Sequence, residues 1–243
     1  MKRLLAVALI ALALPASVSG GTPITIFAAA SLTGVLERID KSPRYSYAGS
    51  DQLAVQIQQG APADVFAAAS PKQTQLLYRN GLLRKPVAFA TNRLIVLVPR
   101  ANPGRITSVY DLRRSGLKLV IGDRTVPIGS YTRQILDTLG ITADVMNNVA
   151  SQETDVKGIV AKVALGEADA GFVYLTDAKP VASRTRSVAL PAWAQPPIRY
   201  EIAVVKSSPN STAATSFVKK VLSKRGRLVL KNAGFGLPKL RKK

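Results

Sequence analysis

The chain of 243 residues contains no cysteine and no histidine. These two absences exclude thiolate and imidazole zinc sites, Ser-His-Asp triads and redox dithiols. They also exclude disulfides, so cysteine usage says nothing about compartment. Acidic residues are scarce, with 14 Asp+Glu against 34 Lys+Arg. Catalysis would have to rest on carboxylate, lysine or tyrosine, and Asp51, Asp64, Asp123, Glu153 and Asp155 show no partner or metal spacing. No enzymatic role is expected. Long hydrophobic runs are missing too. The longest, Leu4 to Leu14, has eleven residues, well short of the roughly 20 needed to cross ~30 Å of hydrocarbon.

That run instead follows a basic start, Met1-Lys2-Arg3, and precedes Pro15 and the small residues Ala16-Ser17-Val18-Ser19-Gly20. The order is that of a secretory signal peptide over residues 1–20, cut between Ser19 and Thr22. The mature protein is therefore expected to be exported to the periplasm or extracytoplasmic space and to be soluble. No cysteine near the cut offers a site for lipid attachment. At 47% hydrophobic and 20% charged residues the chain has ample material for a core. Its length allows one large domain or two of roughly 100–120 residues.

Without Lys2 and Arg3 the formal charge falls from +20 to +18. A field of that sign favours anionic partners, from small anions to polyanions. The charge is widely spread and densest at Lys219-Lys220, Lys224-Arg225, Arg227, Lys231 and Lys239 to Lys243. The interleaved aromatics and motifs of nucleic-acid readers are not visible, and no nucleic-acid partner is expected.

Short apolar runs alternate with helical patterns. Ile24 to Ala28, Tyr45 to Ala48, Val65 to Ala68, Arg93 to Val98, Leu117 to Ile121, Gly171 to Tyr174 and Ile202 to Val205 read as strands. Helices are expected over Leu32 to Ile39, Gln52 to Gln59, Pro71 to Asn80, Ser130 to Leu139, Thr154 to Leu165, Thr212 to Leu222 and Lys224 to Ala233. Alternation of this kind implies βαβ units and parallel sheets flanked by helices. Ile24 to Ile39 and Leu117 to Leu139 share the order strand, small-residue loop, helix, which suggests two similar α/β lobes.

In such sheets ligands sit at the carboxyl ends of strands, where helix N-termini offer free N–H groups and partial positive charge. Four places fit that description. They are Ala28 to Thr33, with Ser31 at the expected N-cap; Ala48 to Gln52, with Ser50 after a glycine; Val126 to Tyr131; and Asp155 to Lys157. Tyr174, closing a strand, could add a phenolic donor. A serine at a helix start is usually no more than a cap, and neither a Walker loop nor a GxGxxG follows a strand. Only the combination points to one anion held by neutral donors.

The segments AAASLTGVLERI, AGSDQLAVQIQQGAPADVFAAAS, FATNRLIVLVP, VPIGSYTRQIL, TDVKGIVAKVALGEADAGFVYLTDA and GFGLP together resemble the periplasmic molybdate-binding proteins of ABC importers. The resemblance runs from Ile24 to about Pro238. It implies an α/β, two-lobed periplasmic-binding-protein-like fold of type II, each lobe a mostly parallel sheet flanked by helices, with a ligand cleft between lobes. It further implies that molybdate, and usually tungstate, is bound without a cofactor by serine hydroxyls, backbone N–H groups and a tyrosine hydroxyl. Carried over by motif, these fall on Ser31 of AAASLT, Ser50 of AGSD, Ile128 of VPIG, Val156 of TDVK and Tyr174 of GFVY. All would contact the oxyanion's oxygens, with no direct metal ligation. A monomer that hands its ligand to a membrane permease is implied as well.

The expected lobes are residues 21–90 plus 198–243, and residues 91–197, joined by crossings near Thr91 and Pro196-Pro197. Three departures from the family pattern stand out: a short stretch at Glu37 to Tyr45, Ile128 where a small residue is common, and Ser70 where an acidic one is frequent. Two alternatives stay open. The same fold could take another oxyanion such as sulfate or an organic acid, or a cationic envelope protein could bind a polyanion through its C-terminal basic surface.

Overall fold

The computed structural model describes residues 22–238. The signal-peptide reading of residues 1–20 and the basic residues Lys239 to Lys243 lie outside that range. In chain order the strands are β1 (Thr25–Ala29), β2 (Arg44–Ala48), β3 (Val65–Ala68), β4 (Val87–Asn92), β5 (Leu94–Pro99), β6 (Leu119–Gly122), β7 (Val149–Glu153), β8 (Ala170–Tyr174), β9 (Thr185–Ala189) and β10 (Ile198–Val204). The helices are α1 (Ser50–Gln58), α2 (Pro71–Arg79), α3 (Pro127–Leu139), α4 (Thr142–Met146), α5 (Val156–Leu165), α6 (Leu175–Ala178), α7 (Ser211–Leu222) and α8 (Lys224–Asn232).

The strands form two five-stranded sheets, ordered β2-β1-β3-β10-β4 and β7-β6-β8-β5-β9. β1 pairs in parallel with β2 and β3, and β6 with β7 and β8. β10 is antiparallel to both of its neighbours, and so is β5. Four strands of each sheet thus run one way and one runs back. The same topology is used twice, with β1, β2 and β3 standing where β6, β7 and β8 stand in the other sheet.

The central strands β3, β5 and β8 are almost wholly apolar because both of their faces are covered. All six residues of β5 (LIVLVP) are buried, as are all of β3 and β8. β4 leads into β5 with only Arg93 between them. The return crossing precedes β10, where the Gln195 side chain accepts from the Leu94 N–H at 2.9 Å and donates to the Leu94 carbonyl at 2.7 Å. The C-terminal segment closes on the same place. Thr91 and Gly236 exchange backbone hydrogen bonds of 2.8 and 3.0 Å.

The helix expected over Leu32 to Ile39 does not form. A single 3-10 turn, Ala30–Leu32, follows β1, and the chain then runs through turns to β2. Leu32, Val35 and Leu36 are buried and have helical spacing, but Gly34 takes φ +77 directly after the 3-10 turn. That left-handed residue redirects the backbone before a second turn can stack. The connection is pinned instead by Tyr45, whose hydroxyl donates to the carbonyl of Asp40 at 2.6 Å. Three strands also lack a clear signal in the sequence: β4, β7 and β9. β7 and β9 are edge strands with much of their surface exposed.

Candidate functional site

The carboxyl ends of β1, β2, β6, β7 and β8 converge on one small cavity of about 20 Å³. Drug-sized ligands usually occupy ~300–1,000 Å³, so the space suits a small ion. Ser31, Ser50, Ile128, Val156 and Tyr174 all line it, together with Ala29, Gly49, Ala69 and Asp155. No lysine or arginine is among the lining residues.

Each candidate reaches the cavity by a different local device. Ser50 opens α1 after Gly49. Its Oγ accepts the Ala69 N–H at 3.1 Å; among the described residues its own proton has no acceptor. Ile128 is the second residue of α3, behind Pro127, so its N–H has no carbonyl four residues earlier to bond within the helix. Its side chain lies against the end of β6, where a Cβ on Gly122 would come within 2.6 Å of Ile128 Cγ2. Val156 opens α5. The Asp155 carboxylate accepts from Lys157 and Gly158 N–H at 2.7 and 3.2 Å. The Asp155 charge is thereby spent on the second and third N–H groups of α5, and the first, on Val156, is left over.

Ser31 departs from its expected setting. It is not the cap of an α-helix but sits within the 3-10 turn, so the cavity receives three helix N-termini, from α1, α3 and α5, and none from the first lobe's opening strand. Its Oγ lies 2.9 Å from the Tyr200 hydroxyl.

Tyr174 is the most telling residue. It is 1% exposed, and its hydroxyl has no hydrogen-bond partner among the described residues. Such an orphan costs ~1–3 kcal/mol unless a ligand satisfies it. Burial pushes the phenol well above its ordinary pKa, with the neighbouring Tyr200, Tyr131 and Asp177 adding to the effect. It is therefore a donor across the physiological range.

The two halves meet at the cavity's edge. A Cβ on Gly49 would come within 2.5 Å of the Thr154 carbonyl and 3.3 Å of Val126 Cγ1. Nearby, Asp51 Oδ2 lies 2.9 Å from Thr125 Oγ1.

Hydroxyl and N–H donors from two matching sheets face one small cavity, an arrangement suited to holding an anion. The sequence pattern of bacterial extracellular solute-binding proteins matches residues 24–236. The chain belongs to that family. The molybdate-binding protein ModA of Mycobacterium tuberculosis is 38% identical over 229 residues, covering 90% of this chain and 86% of its own. A structure described as the substrate-binding domain of a molybdenum ABC transporter from Clostridium difficile is 28% identical, with a TM-score of 0.65 over 89% of this chain and 99% of that one. The periplasmic molybdate-binding protein of Azotobacter vinelandii has a TM-score of 0.81 over 89% of this chain and 100% of its own; at 23% identity this is a likeness of fold. These relatives are solute-binding proteins, not enzymes.

Around the cavity of this solute-binding protein stand polar residues with no local sequence signal. Asn92 Nδ2 is 3.4 Å from the Tyr200 hydroxyl and 3.0 Å from Thr176 Oγ1. Asp177 is 1% exposed and pairs with Lys157 Nζ at 2.8 Å. Burial raises the Asp177 carboxyl above its ordinary pKa, an effect that Lys157 only partly offsets. Tyr200 and Asn92 lie more than a hundred residues apart, and no spacing rule connects them.

Proposed function

We propose that this protein captures molybdate, and tungstate with it, in the cavity between its two lobes and delivers the oxyanion to the permease of an ABC importer after export as a monomer. The observation that carries the reading is the buried, unpartnered Tyr174 hydroxyl facing the same small cavity as Ser31, Ser50 and the leading N–H groups of α3 and α5. The relatives named for molybdate support it. The lobes are read as residues 21–90 plus 198–243, and residues 91–197, with the crossings as hinge.

Neutral donors suit a dianion. Fixed N–H and O–H dipoles stabilise it without a formal counter-charge, and the three helix N-termini add to their field. Donors outnumber acceptors around the cavity, which favours a fully deprotonated oxyanion over one carrying a proton, such as monohydrogen phosphate. Sulfate carries the same charge but is smaller, so its exclusion rests on cavity size. Calorimetric titration of the ligand-stripped mature protein with molybdate, tungstate and sulfate at near-physiological salt tests this. Saturable one-to-one binding of the first two, with sulfate much weaker, is the expected result. Silence toward all three would refute it and turn attention to polyanions on the basic surface.

A further inference from the structure

The geometry points to Tyr200, with Asn92 behind it, as the positioning residue that turns the Ser31 hydroxyl proton into the cavity. This inference rests on reading the cavity as an oxyanion site. A serine hydroxyl is both donor and acceptor. Ser31 helps an anion only when its proton, not a lone pair, faces the ligand, so something must fix the sense of the Ser31–Tyr200 hydrogen bond.

Asn92 fixes it. The Arg93 backbone N–H can only donate, and it lies 3.0 Å from Asn92 Oδ1. The oxygen end of the amide is therefore the one facing Arg93, which leaves Nδ2 toward Tyr200 and Thr176. Nδ2 donates to the Tyr200 oxygen, and the Tyr200 proton is then directed onto Ser31 Oγ, 2.9 Å away. Ser31 has its own proton free for the ligand. Were the sense reversed, Ser31 would present lone pairs to an anion.

The Tyr200 ring is held for this task. It makes edge-to-face contacts with Phe89, Tyr174 and Phe235 at centroid distances of 6.1, 5.9 and 5.4 Å. Burial keeps its phenol protonated. Asn92 ends β4 at the first crossing, and Thr176 belongs to α6 in the other half of the molecule. The chain of bonds from Thr176 through Asn92 and Tyr200 to Ser31 thus links a ligand donor on one lobe to the opposite lobe through the crossing strands.

The test uses molybdate titration calorimetry on the mature protein and on Tyr200→Phe, Ser31→Ala, their double variant, and Asn92→Ala and Asn92→Asp each alone and combined with Tyr200→Phe, with thermal midpoints of the ligand-free proteins measured alongside. Tyr200→Phe keeps the ring contacts and should weaken molybdate binding roughly tenfold. In the Ser31→Ala background the same change should cost almost nothing. Asn92→Asp, which makes the amide end an acceptor and reverses the relay, should weaken binding more than Asn92→Ala. Most of that extra loss should vanish when Tyr200 is also Phe. The inference is overturned if the losses at 31 and 200 multiply, if Tyr200→Phe moves only the thermal midpoint, or if the Asn92→Asp loss persists undiminished without the Tyr200 hydroxyl, which would mark simple charge repulsion. If the unaltered protein binds no molybdate, the oxyanion reading fails by itself. The ligand-free midpoints then decide the relay: coupling between positions 31 and 200 supports it, and additivity overturns it.

Discussion

Replacing Tyr174 by Phe should move affinity and stability in different directions. The hydroxyl is buried and unpartnered, so in the ligand-free protein with its lobes together it is a liability of ~1–3 kcal/mol. Removing it costs no existing hydrogen bond, and the ring stays packed edge-to-face against Tyr200 at 5.9 Å. With an oxyanion bound, the same hydroxyl would make a charge-assisted hydrogen bond worth ~1.5–3 kcal/mol. Tyr174→Phe should therefore weaken molybdate binding by roughly 10- to 150-fold. The ligand-free thermal midpoint should hold or rise, by about 2–4 °C for each kcal/mol of relieved penalty in a chain of this size. Titration calorimetry reads the first effect and scanning calorimetry the second. Unchanged affinity would refute the placement of Tyr174 among the ligand's donors. A midpoint that falls by several degrees would show that the hydroxyl has a structural partner after all, and the reasoning from its orphaned state would be wrong.

Other perturbations probe the approach of the lobes, the buried acid and the surface field. Gly49→Ala should weaken molybdate binding at least about tenfold, because the new Cβ meets the Thr154 carbonyl at 2.5 Å across the cleft; equal affinity would show that closure does not bring these backbones together. For Asp177, a carboxyl whose folded-state pKa is raised, mainly by burial, binds its proton more tightly when folded. Its stabilising contribution is complete below the ordinary carboxyl value of 3.8 and is lost as pH rises through the raised one. The thermal midpoint of Asp177→Asn relative to the unaltered protein should accordingly climb between pH 4 and 7, and a decline would mean that pairing with Lys157 outweighs burial. The formal +20 of the chain should steer oxyanions, so stopped-flow association rates should fall as salt rises; a flat salt dependence would remove steering from the account.

Much of the frame was legible because buried strands have few alternatives. A run such as Leu94 to Val98 belongs in the middle of a sheet, and the carboxyl-end rule then brings Ser50, Ile128, Val156 and Tyr174 to the same side of two sheets. The edge strands β7 and β9 were opaque for the converse reason: exposed residues at their edges break the apolar pattern. The helix expected after β1 shows how periodicity misleads. Leu32, Val35 and Leu36 are spaced for a helical face, yet Gly34 lets the same residues be buried from successive turns. The support around Ser31 could not be read at all, since its partner Tyr200 lies 169 residues away and meets it only through the fold.

The most direct measurement is a crystal structure of the molybdate-soaked protein with anomalous data collected at the molybdenum absorption edge. The account expects one anomalous peak, in the cavity between the two sheets, with oxyanion oxygens within hydrogen-bond distance of Ser31 Oγ, Ser50 Oγ, the Ile128 and Val156 N–H groups and the Tyr174 hydroxyl. A peak among surface lysines and arginines, or a cavity without molybdenum at saturating ligand, would contradict it.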